Sequence, residues 1–119
     1  MFNFEKLETW QEAIGFGELV YRTTQQLPPE ERFGLCSQMR RAAVSVSSNL
    51  AEGSARLPRL DFARFVEIAT GSFFEVVSQT ALGQRLGLLS EDDYREVYGA
   101  ADKLGRMLSG LRRSLLDAH

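Results

Sequence analysis

Apolar residues in the last third of the chain recur at alternating spacings of three and four. They are Tyr94, Val97, Ala101, Leu104, Leu108, Leu111 and Leu115. This spacing places one stripe along a single face of an α-helix, and its persistence over three heptads is typical of a helix packed in a bundle. No run of the sequence alternates with period two, as a half-buried strand would. The pattern therefore predicts an all-α fold.

Proline and glycine divide the chain into four helical segments. Pro28 and Pro29 mark one joint and Pro58 the next, because proline interrupts helices. Gly87 ends the third segment, and Ser90 with Asp93 forms a capping box that opens the fourth. The helices are predicted at about 6–26, 30–55, 58–86 and 91–117. Long helices with short joints favour an antiparallel, up-down-up-down four-helix bundle, and the length of 119 residues predicts one domain over 1–119.

Each of the first three segments also carries a predicted core stripe. The stripes are Leu7, Trp10, Ile14, Gly17, Tyr21 and Thr24; Leu35, Met39, Ala42, Val46 and Leu50; and Phe62, Val66, Ala69, Phe73, Val76 and Thr80. Several glycines fall inside the helices, at Gly15, Gly71, Gly83, Gly99, Gly105 and Gly110. Each costs about 1 kcal/mol relative to alanine. They indicate either close helix contacts or a bundle stable enough to absorb their cost.

The third segment has more apolar residues than one core stripe can use. Phe74 points away from the predicted stripe, with Val77 and Ala81 beside it, and Phe16, Val20 and Leu27 are displaced in the same way from the stripe of the first segment. Burial of a phenylalanine is worth roughly 1.5 to 3 kcal/mol, so a repeated second face would favour self-association. We expect a homo-oligomer with Phe74, Val77 and Ala81 at its interface. The alternative is a broad core stripe with one surface phenylalanine.

The net charge of −2 conceals a block pattern along the chain. Residues 1–31, 32–64, 65–102 and 103–119 carry net charges of −4, +4, −5 and +3. All six basic residues of the second block are arginines, whose planar guanidinium suits phosphate. Arg41 should face away from the core, and Arg40 should lie at its border. Arg40, Arg41, Arg56 and Arg59 are therefore candidates for a nucleic-acid surface. The alternative is that they pair with the acidic helices.

Residues suited to catalysis are scarce. The single histidine, His119, is the last residue, and no Glu-x-x-His pair offers the ligands of a di-metal bundle site. Cys36 lies beside Leu35 and Met39 in sequence and is expected to be a small buried group. We therefore expect no metal, no cofactor and no enzymatic activity. The longest uncharged run, residues 42–51, is too short for a membrane span, and no secretory leader is recognisable, so a cytoplasmic location is expected.

The stretch from Gln38 to Gly53 resembles, almost position for position, the signature of the four helix bundle protein family, also called the 23S rRNA-intervening sequence protein family. The resemblance continues through Trp10-Gln11, the segment Pro28–Leu35, Phe62-x-x-Phe65-x-x-Ile68-Ala69-x-Gly71-Ser72, Glu75, Gln79 and Leu86-Gly87. Three departures stand out: Ser47 replaces a frequent proline, Pro58 replaces a hydroxyl helix cap, and Phe74 and Val77 replace residues that are often polar.

This resemblance implies an antiparallel bundle that assembles as a homopentameric barrel without known enzymatic activity. Some members resemble the accessory variability protein of diversity-generating retroelements, which binds a reverse transcriptase and nucleic acid. It implies Arg40 and Arg41 as a nucleic-acid surface, with Asn49 and Glu52 as signature polar residues of unassigned role. Expected partners are thus further copies of the chain, structured RNA or DNA, and a reverse transcriptase or other protein. The alternatives are an interaction module without nucleic acid and, third, a small-molecule enzyme.

Overall fold

Four α-helices make up the computed structural model, which describes residues 1–117. They are α1 (Glu8–Thr24), α2 (Leu35–Ser54), α3 (Arg59–Arg85) and α4 (Glu91–Asp117). Short 3-10 helices at Asn3–Lys6 and Pro29–Glu31 precede α1 and α2, and the described part of the chain contains no strand. His119 lies outside the described residues. The all-α four-helix bundle predicted from the sequence is confirmed.

The helices occupy the corners of a square. Each packs against the next along the chain, and α4 also packs against α1. The backbones of the diagonal pairs, α1 with α3 and α2 with α4, stay apart, and the rings of Phe16 and Phe73 meet across the core with their centres 5.9 Å apart. The bundle measures 47 × 21 × 21 Å. Its α1–α2 side is therefore opposite its α3–α4 side, and its α2–α3 side is opposite its α1–α4 side.

Local sequence signals fix the helix ends. Gly87 adopts a positive φ of 75°, and the N–H of Leu88 then donates to the carbonyl of Gly83 at 2.8 Å, which closes α3. The N–H of Asp93 donates to the hydroxyl of Ser90 at 3.0 Å, so Ser90 caps α4 as predicted. By contrast, α2 begins at Leu35, not near residue 30, because the chain after Pro28 first makes the 3-10 turn.

The predicted core stripes of α2, α3 and α4 are confirmed, since every member is buried or half-buried. The stripe of α1 is wrong at its centre, because Ile14 and Tyr21 are 38% and 43% exposed. Phe16, Val20 and Leu27, which the sequence placed on a second face, belong to the core. Two stripes of similar spacing run along α1, and the packing of α2 and α4 against this helix buries the stripe that carries Phe16.

The helix glycines support both interpretations of their role. A Cβ at Gly83 would lie 3.1 Å from Leu89, and one at Gly105 would lie 3.1 Å from the ring of Phe73, so these two permit close packing. A Cβ added at any of the other four would meet no atom within 4 Å, and the bundle absorbs their cost; they are Gly15, Gly71, Gly99 and Gly110.

Among the glycines, Gly53 leaves the least room for a side chain. A Cβ at Gly53, near the end of α2, would lie 2.5 Å from the Cβ of Phe65 on α3 and 3.0 Å from a ring carbon of Phe62. Real Cβ atoms do not come so near, so the two helices pack at this distance only because residue 53 has no side chain.

Replacing this glycine should therefore destabilise the bundle. We expect Gly53→Ala to lower the free energy of unfolding by about 1–3 kcal/mol, because α2 and α3 must separate. Gly71→Ala, at an exposed helix position with open space, is the matched control and should raise it by about 0.5–1 kcal/mol. Urea titrations followed by circular dichroism measure both changes, and similar shifts for the two variants would contradict the close-packing account.

Candidate interaction surfaces

Arg40 is held within the chain. Its Nε donates to the hydroxyl of Thr24 at 2.8 Å and one terminal nitrogen donates to the carbonyl of Tyr21 at 3.2 Å, while the guanidinium lies 4.5 Å from the centre of the Tyr21 ring. The carbonyl belongs to the last turn of α1 and also accepts a hydrogen bond from the hydroxyl of Thr24 at 3.2 Å. Arg40 therefore joins α2 to the end of α1 and is only half-buried.

The other three predicted arginines differ in their partners. Arg56 pairs with Glu52 at 3.2 Å and lies 4.9 Å from the centre of the Phe65 ring. Arg41, in the middle of α2, and Arg59, the first residue of α3, are exposed. Neither makes an ion pair or a side-chain hydrogen bond with residues 1–117. The structure thus leaves Arg41 and Arg59 available to external anions.

The two signature polar residues lie on the α2–α3 side. Asn49 donates from its side-chain nitrogen to the carbonyl and the hydroxyl of Ser45 at 2.8 and 3.0 Å. The hydroxyl of Ser45 is in turn 2.8 Å from that of Ser72 on α3. Glu52 is engaged with Arg56. Asn49 therefore holds Ser45, the residue through which α2 bonds to α3, whereas Glu52 forms an ion pair with Arg56 four residues later.

A polar groove runs between α2 and α3 on their outer side, with a volume of about 290 Å³. We call it the α2/α3 groove; its polar lining comprises Gln38, Arg41, Ser45, Ser72, Glu75 and Gln79. Apart from the two serines, none of these side chains makes a hydrogen bond or ion pair within the described chain. The side-chain oxygen of Gln79 is shielded from solvent and has no partner.

Sequence reasoning did not assemble this groove, although every residue lining it falls in a stretch that carries the family resemblance. Its two halves are about 30 residues apart in the chain, and only the packing of α2 on α3 brings them together. The groove could have been predicted from the spacing of its residues, because residues 38, 41 and 45 lie on one face of α2 and residues 72, 75 and 79 lie on one face of α3.

An apolar depression of about 360 Å³ lies between α3 and α4, here called the α3/α4 face. Phe74 and Tyr98 border it and are 62% and 56% exposed, while Val77 is half-buried within it. Ala81, one turn beyond Val77, is also half-buried. Phe74 thus points away from the core, as the sequence predicted.

A second apolar surface lies on the opposite side of the bundle. It consists of Ile14 and Tyr21 on α1 and Val44 on α2, each between 38% and 45% exposed. We call it the α1/α2 face. Its residues differ from those of the α3/α4 face, so unlike apolar residues are exposed on two opposite sides of the bundle. Leu82 and Leu86, 52% and 61% exposed, form a further group beside Leu35 at the end of the α2–α3 side.

No group of three or more His, Cys, Asp or Glu side chains within residues 1–117 is arranged to hold a metal ion. Cys36 is a half-buried free thiol that packs against the core. Among the same residues, no helix has the length and apolar character needed to cross a membrane.

Comparison with known proteins shows the family to which the chain belongs. The model of the family described as "23S rRNA-intervening sequence protein" matches residues 5–110. The chain belongs to this family. A crystal structure of a protein of unknown function from the S23 ribosomal protein family of Bacteroides thetaiotaomicron superposes with a TM-score of 0.81 at 18% identity, covering 88% of this chain and 98% of that one. This likeness supports the bundle fold alone. No curated protein matches the chain.

The contrast between two neighbouring arginines is directly testable. Arg40→Ala should lower the free energy of unfolding by about 1–3 kcal/mol, because it removes the bonds to Thr24 and Tyr21. Arg41→Ala, one residue away and without such bonds, should change it by less than about 0.5 kcal/mol. Urea unfolding of both variants is the measurement, and equal losses would refute the intramolecular role of Arg40.

Proposed function

We propose that the protein is a non-enzymatic scaffold that assembles with copies of itself and binds RNA or DNA through repeated arginines. The observation that carries the assembly is the pair of unlike apolar surfaces on opposite sides of the bundle. A head-to-tail contact joins two different surfaces, and repetition of that contact closes into a ring. The α1/α2 face of one copy and the α3/α4 face of the next are suited to such a contact.

The energetics favour covering these faces. Phe74 and Tyr98 are more than half exposed, and burying a large aromatic side chain contributes roughly 1.5 to 3 kcal/mol. In a ring every copy would gain this contribution at both of its faces. The family resemblance implies five copies, and the half-buried Val77 and Ala81 lie beside the proposed contact. The free thiol of Cys36 fits a reducing compartment such as the cytoplasm.

Arg41 and Arg59 are the proposed contacts to phosphate. Arg59 opens α3, where a cation opposes the positive end of the helix dipole, so its position does not serve the stability of the helix. No side chain caps the N-terminus of α3, because Pro58 occupies the capping position. A phosphate there would meet both the guanidinium of Arg59 and backbone N–H groups. Symmetry would repeat these contacts in every copy, so that arginines from several copies would face one polyanion.

A second candidate is a protein-interaction module without a nucleic-acid role, with a reverse transcriptase or another protein as its partner. The engagement of Arg40 and Arg56 inside the chain favours it, since two of four candidate arginines are occupied. So does the turn between α2 and α3, where Leu57 and Leu60 are 95% and 57% exposed. Large apolar residues grouped at an exposed turn are common in protein contacts.

The assembly proposal predicts that charge on either apolar face disrupts the oligomer. Phe74→Asp and Ile14→Asp should each reduce the assembly to smaller species, as measured by light scattering coupled to gel filtration. Leu57→Asp is the control, because Leu57 is more exposed than either but lies on neither face. It should leave the assembly intact.

Mixing the two face variants tests the head-to-tail arrangement. One variant retains its α1/α2 face and the other its α3/α4 face, so the mixture should form a heterodimer through a single intact contact. A wild-type monomer, or a mixture that forms no heterodimer although each variant is folded, would contradict this proposal.

Nucleic-acid binding should depend on salt. Because each neutralised phosphate releases counterions, the logarithm of the association constant should fall linearly with the logarithm of the salt concentration. Arg41→Ala combined with Arg59→Ala should flatten that slope by about 1.4–1.8 per copy engaged, since about 0.7–0.9 is lost for each contact. Arg85→Ala, an exposed arginine at the far end of α3, is the control. Unchanged binding by the double variant would favour the protein-interaction module.

A further inference from the structure

We propose that the α2/α3 groove reads bases of single-stranded nucleic acid, with Arg41 holding a phosphate and Glu75 and Gln79 accepting hydrogen bonds from a base edge. This inference rests on the proposed function and extends it from backbone binding to base selection. The starting point is that the polar side chains of the groove, apart from the two serines, make no hydrogen bond or ion pair within residues 1–117.

The first observation is the lack of pairing inside the groove. Elsewhere in residues 1–117 the charged side chains form seven ion pairs, three of them between helices. Arg41 and Glu75 line the same groove, yet they do not approach each other within ion-pair distance. A ligand between them must therefore offer an anion to Arg41 and a hydrogen-bond donor to Glu75.

The second observation is the side-chain oxygen of Gln79. It is shielded from solvent and accepts no hydrogen bond, and a buried acceptor without a donor costs free energy. Rotation of the Gln79 side chain toward the groove would let a ligand's donor satisfy it. Together with Glu75, one helical turn away, it makes the α3 wall of the groove rich in acceptors. Cytosine, adenine and guanine present exocyclic amino groups, each with two N–H donors that carboxylates and carboxamides bind, whereas thymine presents a single N3–H donor between two carbonyl oxygens.

The third consideration is the path that a nucleic-acid backbone would follow along the bundle. Arg59 lies at the end of the α2–α3 hairpin and Arg41 lies about 20 Å along α2 from that end, given the rise of 1.5 Å per residue. A single strand that follows this side of the bundle would contact Arg59 and Arg41 with its phosphates and place a base beside Glu75 and Gln79. If the apolar faces pair as proposed, the α2–α3 side remains uncovered in the assembly.

The groove's lining contains no aromatic ring, so stacking adds little and the selection between bases should be moderate. We expect short oligonucleotides of deoxycytidine or deoxyadenosine to bind about five- to tenfold more tightly than oligothymidine, as for one good base contact. The measurement is fluorescence anisotropy of labelled oligonucleotides with the assembled protein at two salt concentrations.

Variants separate base selection from backbone binding. Glu75→Gln and Gln79→Ala should reduce the preference for cytosine or adenine over thymine to about twofold or less. Gln79→Ala, which keeps the charge, should do so without changing the salt dependence. Arg41→Ala should weaken all oligonucleotides alike and flatten the salt dependence. Glu8→Gln, which removes an exposed carboxylate from the start of α1, is the charge-matched control for Glu75 and should leave the preference unchanged.

The outcomes distinguish this inference from the function on which it rests. Binding without base preference, or a preference that survives both Glu75→Gln and Gln79→Ala, would overturn the base-reading groove and leave nucleic-acid binding in place. A protein that binds no oligonucleotide and no structured RNA would overturn both. Base preference that is lost in the two groove variants and retained in Glu8→Gln would support the inference.

Discussion

The close packing of α2 on α3 determines much of the rest of the molecule. Gly53 lets the two helices approach at one end, and the hydroxyls of Ser45 and Ser72 meet at 2.8 Å nearer the middle. The middle of the outer edge of this contact is polar, and the longer side chains that flank it, such as Gln79 and Glu75, line an open groove. At one end of the same edge Leu35, Leu82 and Leu86 line a separate depression.

The sequence predicted most of this architecture because the bundle depends on signals that are local or periodic. The stripes of α2, α3 and α4, the cap at Ser90 and the turn at Gly87 all follow from spacing and backbone chemistry. The stripe of α1 did not, because Tyr21 and Phe16 belong to two competing stripes of similar spacing. Only the positions of the neighbouring helices decide which of these stripes faces the core, and that information is not local to α1.

The surfaces were harder to predict for the same reason. Phe74 could be recognised as facing outward from its own helix, but the α1/α2 face became visible only when Ile14 and Tyr21 proved to be exposed. The fate of Arg40 depended on where α1 ends, since its partners are Thr24 and the carbonyl of Tyr21. The sequence alone treats Arg40 and Arg41 as equivalent neighbours, whereas in the fold Arg40 bonds to α1 and Arg41 makes no ion pair or side-chain hydrogen bond within residues 1–117.

The distribution of ion pairs distinguishes the two sides of the bundle that are free of the apolar faces. On the α1–α4 side, Arg22 pairs with Glu96 and Lys103 pairs with Glu12 across the helix boundary, so opposite charges there are matched within the chain. On the α2–α3 side, Arg41 and Glu75 remain unpaired although they share a groove. Arg41 and Glu75 are exposed to water, so the unmet hydrogen bond on this side is that of the solvent-shielded Gln79 oxygen. In the assembly proposed above, the α1–α4 side would carry ion pairs formed within the chain, and the α2–α3 side would present the groove proposed to bind nucleic acid.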